Sequence, residues 1–116
     1  MINDIAQLLF DGDAENCVAA ISGEIDTSNT QEIREMLDER AADASCLIVD
    51  LTETSFLDSA GVALLLDIAG RLRVTRRQFH VVIPEDAPIR RVVELSGLDG
   101  QIDIVATRAE LLDATN

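Results

Sequence analysis

The 116-residue chain has no lysine, one histidine and two cysteines. Each scarcity excludes something. A single histidine with two isolated cysteines supplies no zinc-ligand set, so no metal is expected. His80 falls inside an expected strand, where it reads as a packed or edge-strand residue rather than a general base. Glycine-rich nucleotide cradles are also missing: neither Gly-x-x-x-x-Gly-Lys nor Gly-x-Gly-x-x-Gly occurs. No cofactor is therefore expected. No stretch approaches the roughly 18 apolar residues that a membrane span requires. Met1 to Phe10 carries no basic residue ahead of its apolar part, unlike a signal peptide. The expected compartment is the cytoplasm, where thiols stay reduced, so Cys17 and Cys46 read as buried thiols at the starts of two strands.

What is present describes a globular chain. Hydrophobic residues make up 47% and charged residues 27%, too apolar for disorder. The length suits one domain over residues 1–116. Net charge is −13 and uneven: residues 1–58 hold fourteen acids and two arginines, residues 59–116 eight acids and seven arginines. Phosphate backbones repel such a chain, so nucleic acid is not an expected partner. Six of the nine arginines lie between Arg71 and Arg91, and that cluster reads as a solvated face balancing nearby acids.

The pattern alternates strands and helices. Ile5–Phe10 and Cys17–Ser22 are short apolar segments joined by the acidic, glycine-containing run 11–16, which suggests a hairpin. Ser28 and Gln31 can form a capping box for a helix carrying Ile33, Met36, Leu37 and Ala41. Leu47–Leu51 is a nearly continuous apolar strand of the kind covered on both faces. A loop through Thr52–Ser55 leads to a helix from Ser59 to about Arg73, with Val62, Leu65, Leu66, Ala69 and Leu72 on one side. Phe79–Ile83 is a strand closed by Pro84. Ala87–Leu95 is a helix with Pro88 in its first turn and Gly97 as its stop. Ile102–Val105 is the last strand, and Thr107 with Glu110 caps a final helix. This order predicts an α/β fold: a mostly parallel sheet with an antiparallel N-terminal strand, covered by about four helices.

Function has to be argued from sites. The run from Thr54 through Phe56-Leu57-Asp58-Ser59-Ala60-Gly61 passes from a strand and loop directly into a helix. Asp58 is the natural N-cap, leaving Ser59 at the helix start. A phosphate there would be partly stabilised by the helix N-terminus. Ala60 and Gly61 are small, so another protein can approach Ser59 closely. The same spacing also suits a serine that merely assists the cap. A hydrolase would need a base beside Ser59, and the surroundings do not match Gly-x-Ser-x-Gly. No enzymatic activity is expected.

A second segment, Ile21-Ser22-Gly23-Glu24-Ile25-Asp26, ends a strand in glycine and acids just before a helix. Taken together, Gly-Glu-Ile-Asp, Ser-Phe-Leu-Asp-Ser-Ala-Gly and the later Leu95-Ser96-Gly97-Leu98 resemble the STAS domain, in particular the bacterial anti-sigma factor antagonists. The resemblance implies that Ser59 is the phosphoacceptor, Asp58 its N-cap neighbour and Asp26 the acid beside it on the kinase-facing loop. The partner-facing set is then Asp26, Asp58, Ser59, Ala60 and Gly61. Many members have a second serine where this chain has Ala60, which leaves Ser59 the one hydroxyl in the motif core. The implied partners are an anti-sigma factor with serine-kinase activity, which brings the ATP, and a serine phosphatase. The unphosphorylated form would bind the anti-sigma factor and free the sigma factor. Two other readings fit a chain of this kind: a STAS adaptor or scaffold in a stress-signalling or lipid-transport complex, and a nucleotide-binding module, which calorimetry with ATP and GTP would distinguish.

Overall fold

A computed structural model describes residues 3–115. Strands β1 (Ala6–Gly12) and β2 (Asn16–Ile25) form the expected antiparallel hairpin. Its turn is fixed by Asp13, whose Oδ1 accepts the N–H groups of Glu15 and Asn16. Helix α1 (Thr30–Arg40) follows, then β3 (Cys46–Asp50), β4 (Thr54–Leu57), α2 (Ser59–Val74) and β5 (Gln78–Val82). Helix α3 (Arg90–Ser96), a 3₁₀ turn at Leu98–Gly100, β6 (Asp103–Val105) and α4 (Arg108–Thr115) complete the order. The six-stranded sheet runs β1-β2-β3-β5-β6, parallel after the first pair, with β4 attached to β2 beyond the end of β3.

Alternation along the strands sends Leu8, Ala19, Ile21, Val49 and Val81 into one core, where they meet Ile33 and Leu37 of α1, Leu65, Ile68 and Leu72 of α2, and Val93 of α3. Three helices thus share one face. The other face is covered less completely, by α4, whose Arg108 pairs with Asp50. Ile48 on that face stays only partly buried, so β3 is not fully covered on both sides as its apolar run implies. Cys17 and Cys46 are buried free thiols. Burial pushes both pKa values up, with Arg40 opposing the shift slightly at Cys17. Within the Arg71–Arg91 cluster Arg71 pairs with Asp38 and Asp67, and outside it Arg34 also pairs with Asp67. Arg77 caps the end of α1 by donating to the carbonyls of Ala41 and Ala42.

Four further details differ from the sequence reading. The segment taken as a loop through Ser55 contains β4, a strand too short for periodicity to register. The Ser28–Gln31 capping box does not form. Asn29 occupies the N-cap of α1 without a side-chain cap bond, because its amide turns back to the Glu24 carbonyl and its Oδ1 accepts from the Asp26 N–H. Helix α3 starts at Arg90 rather than Ala87, with a turn across 87–90. Helix α2 is rotated from the expected face: Leu64 and Ile68 are buried, while Val62 and Leu66 only flank the core. Nearly every side of α2 is apolar, so spacing alone does not choose its buried stripe. Among the described residues no helix is long and apolar enough to cross a membrane.

Candidate functional site

The C-terminal ends of β2 and β4 deliver both sequence motifs to one place. The two strands pair in parallel, Glu24 with Phe56 and Ile25 with Leu57, and the Asp58 N–H donates to the Ile25 carbonyl at 3.3 Å. Neighbouring strands lie about 4.8 Å apart, so Asp26 emerges beside Asp58 and Ser59. Thr54 anchors β4 in this position. It is buried, and its hydroxyl donates to the Ile21 carbonyl at 2.7 Å. Gly23 permits the register shift just before the pairing. Its φ is +93°, and a side chain there would collide with the Ile5 carbonyl oxygen at 2.1 Å.

Asp58 caps α2 as its position in the sequence predicts. Its backbone is extended, and Oδ1 accepts the N–H groups of Ala60 at 2.9 Å and Gly61 at 3.1 Å. Such a cap is worth about 1 kcal/mol. These two N–H groups are the ones a phosphate on Ser59 would seek, and the Asp58 carboxylate already holds them. An added phosphoryl group must therefore displace that carboxylate to reach these two N–H groups. Ser59 itself is exposed at the first helical position. Its hydroxyl bonds to no described residue, and His80 pairs instead with Asp103 on β6. Nothing in the described site activates the hydroxyl as a nucleophile, but an incoming group can reach it freely.

Asp26 organises its own loop. Its Oδ1 accepts the Ser28 N–H at 2.8 Å and the Ser28 hydroxyl at 2.6 Å, and its carbonyl accepts from Asn29 and Thr30. Asn29 is the residue sequence reasoning missed. It is 1% exposed and ties the Glu24–Asp26 segment to α1, and its only sequence signal is an amide side chain at a strand-to-helix junction. The expectation that Gly61 faces a partner is corrected. Gly61 is buried, packed on Leu57 and Ile25, so its small size lets α2 approach the sheet. Ala60 remains half-exposed beside Ser59. Among the described residues no cluster of three or more His, Cys, Asp or Glu side chains is placed to hold a metal ion.

The STAS domain family model matches residues 8–111, which include every residue of this site. The chain belongs to the STAS domain family. Its fold is similar to that of an anti-sigma factor antagonist from Mycobacterium paratuberculosis, at 26% identity and a TM-score of 0.78, covering 94% of this chain and 92% of that one. The anti-sigma factor antagonist SpoIIAA in its unphosphorylated form matches at 24% identity and a TM-score of 0.76, over 94% of this chain and 96% of that one. The Bacillus cell fate determinant SpoIIAA in the phosphorylated form matches at 24% identity with a TM-score of 0.67, over 95% of this chain and all of that one. The mixed sheet and four helices are thus the STAS fold, and Ser59 stands at the N-terminus of its second helix.

Proposed function

We propose that this STAS protein is an anti-sigma factor antagonist that works as a partner switch. In its unphosphorylated form it binds an anti-sigma factor with serine-kinase activity in the cytoplasm, and the sigma factor is released. The partner phosphorylates Ser59, binding is lost, and a serine phosphatase resets the cycle. The observation that carries this reading is the exposed Ser59 at a helix start with Asp26 brought alongside by the β2–β4 register.

The electrostatics support a switch that acts by repulsion. Phosphorylation adds about −1.5 to −2 charges at neutral pH. Glu24, Asp26 and Asp58 share this end of the molecule, and no arginine lies in sequence between Arg40 and Arg71. This stretch of the chain itself offers the phosphate no cation, and Asp58 already occupies the N–H groups of Ala60 and Gly61. In the free protein, water screens the added charge. In a complex, an unpaired phosphate costs several kcal/mol, and each 1.4 kcal/mol is about tenfold in affinity.

The test is incubation with a purified anti-sigma serine kinase and ATP, followed by phosphosite mapping and calorimetry. Ser59 alone is expected to be labelled, and affinity is expected to fall by about tenfold or more. Amide shifts on phosphorylation should stay near residues 23–28 and 55–64. Label that persists in Ser59→Ala, or unchanged affinity after stoichiometric phosphorylation, refutes the proposal.

A further inference from the structure

We infer that Glu24 and Phe56 together form a receptor for an arginine side chain of the partner, the guanidinium stacking on the Phe56 ring while Glu24 takes its charge. The inference deepens the partner-switch reading and rests on it. The chain has three phenylalanines and no other aromatic residue. Phe10 and Phe79 pack against the core. Phe56 does not: it is 46% exposed, three residues before Ser59. The adjacent Leu57 is buried in the core and Phe56 is not, so Phe56 projects from the opposite side of the strand. Its partner in register on β2 is Glu24, also exposed. An aromatic ring and a carboxylate are thus presented side by side, about one strand spacing apart.

The occupant follows from charge and shape. Glu24, Asp26 and Asp58 make this end anionic. The cations on adjoining elements are already engaged, Arg34 by Asp67 and Arg108 by Asp50. A cationic side chain must therefore come from the other molecule. Arginine satisfies both halves of the receptor, since its planar guanidinium stacks on an aromatic face and ion-pairs in the same plane. The chain already holds one such stack: the Arg40 guanidinium lies 4.5 Å from the centre of the Phe10 ring. An arginine held by Phe56 and Glu24 would also explain how an acidic surface is drawn to the partner.

The probe is the purified serine-kinase anti-sigma factor used above, titrated into wild type, Phe56→Ala, Phe56→Leu, Glu24→Gln and the double variant Phe56→Ala/Glu24→Gln. Phe56→Ala and Glu24→Gln are each expected to weaken binding about five- to twentyfold. The double variant should lose clearly less than the product of the two, because both groups hold one guanidinium. Phe56→Leu keeps apolar area without a π face and should resemble Phe56→Ala. Leu95→Ala, at another exposed apolar residue (76%), should bind as wild type. Melting temperatures report any loss of folding separately. Full rescue by Phe56→Leu, or independent effects of Phe56 and Glu24, overturns the arginine receptor. If phosphorylation still abolishes binding in that case, the partner switch stands without it. If the wild type fails to bind the kinase, both fall together.

Discussion

Two glycines on one helix should respond to the same substitution with opposite signs. Gly61 lies on the inner side of the first turn of α2, and an added Cβ would sit 2.3 Å from Leu57 Cδ1 and 3.1 Å from Ile25 Cγ2. Ordinary carbon contacts are about 3.5–4.0 Å, so the Leu57 methyl must retreat by at least about 1 Å. Both neighbours are buried, at 2% exposure each. Overpacking of this kind costs about 1–3 kcal/mol. The helix propensity of alanine over glycine returns at most about 1 kcal/mol. Gly61→Ala should therefore lose about 1–2 kcal/mol. Gly70, two turns further along α2, has nothing within 4 Å of its Cβ position, and Gly70→Ala should gain about 0.5–1 kcal/mol. At about 2.1 cal/mol/K per residue, 1 kcal/mol corresponds to about 4 °C for a chain of this length. Thermal and urea unfolding followed by far-ultraviolet circular dichroism should show Tm falling by about 4–8 °C at Gly61 and rising by about 2–4 °C at Gly70. A Gly61→Ala protein as stable as wild type would refute the packing argument.

Three further outcomes follow from the same geometry. Asp26→Asn keeps an Oδ1 acceptor for Ser28, so its Tm should stay within a few degrees while Ser59 phosphorylation slows; Asp26→Ala loses that acceptor and should cost about 1 kcal/mol in urea unfolding. Burial pushes the Asp50 carboxyl up, but hydrogen bonds from Thr52 and the ion pair with Arg108 outweigh it and hold the pKa below its ordinary value. A lowered folded pKa contributes stability that is complete above about pH 5 and lost as pH falls through the folded value. The stability gap between wild type and Asp50→Asn should therefore be largest near neutrality and shrink toward acid, and a gap that widens below pH 4 would refute this account. Cys17 and Cys46, buried with raised pKa values, should react slowly with a thiol reagent at neutral pH and quickly in urea. Their side chains leave β2 and β3 on opposite faces, so no intramolecular disulfide should form on oxidation.

The sequence by itself determined the order of the elements other than β4, because hydrophobic spacing, capping residues and glycine stops are local. Asp58 reads as a cap and caps, Gly97 reads as a stop and adopts the left-handed conformation that ends α3, and the run 11–16 turns a hairpin. Ser59 at a helix start was legible for the same reason. Tertiary structure decided what depends on contacts between distant segments. The register of β4 on β2, which sets Asp26 beside Ser59 and Phe56 beside Glu24, comes from a four-residue strand that carries no periodic signal of its own. The capping box read at Ser28 and Gln31 did not form: Asn29 took the N-cap position, and its side chain went to the Glu24 carbonyl and the Asp26 N–H instead of the helix. Gly61 and Ala60 look alike in sequence as two small residues after a serine. Only the docking of α2 on Leu57 and Ile25 buries one and leaves the other at the surface, because a close helix–sheet approach has room for no Cβ at the point of contact.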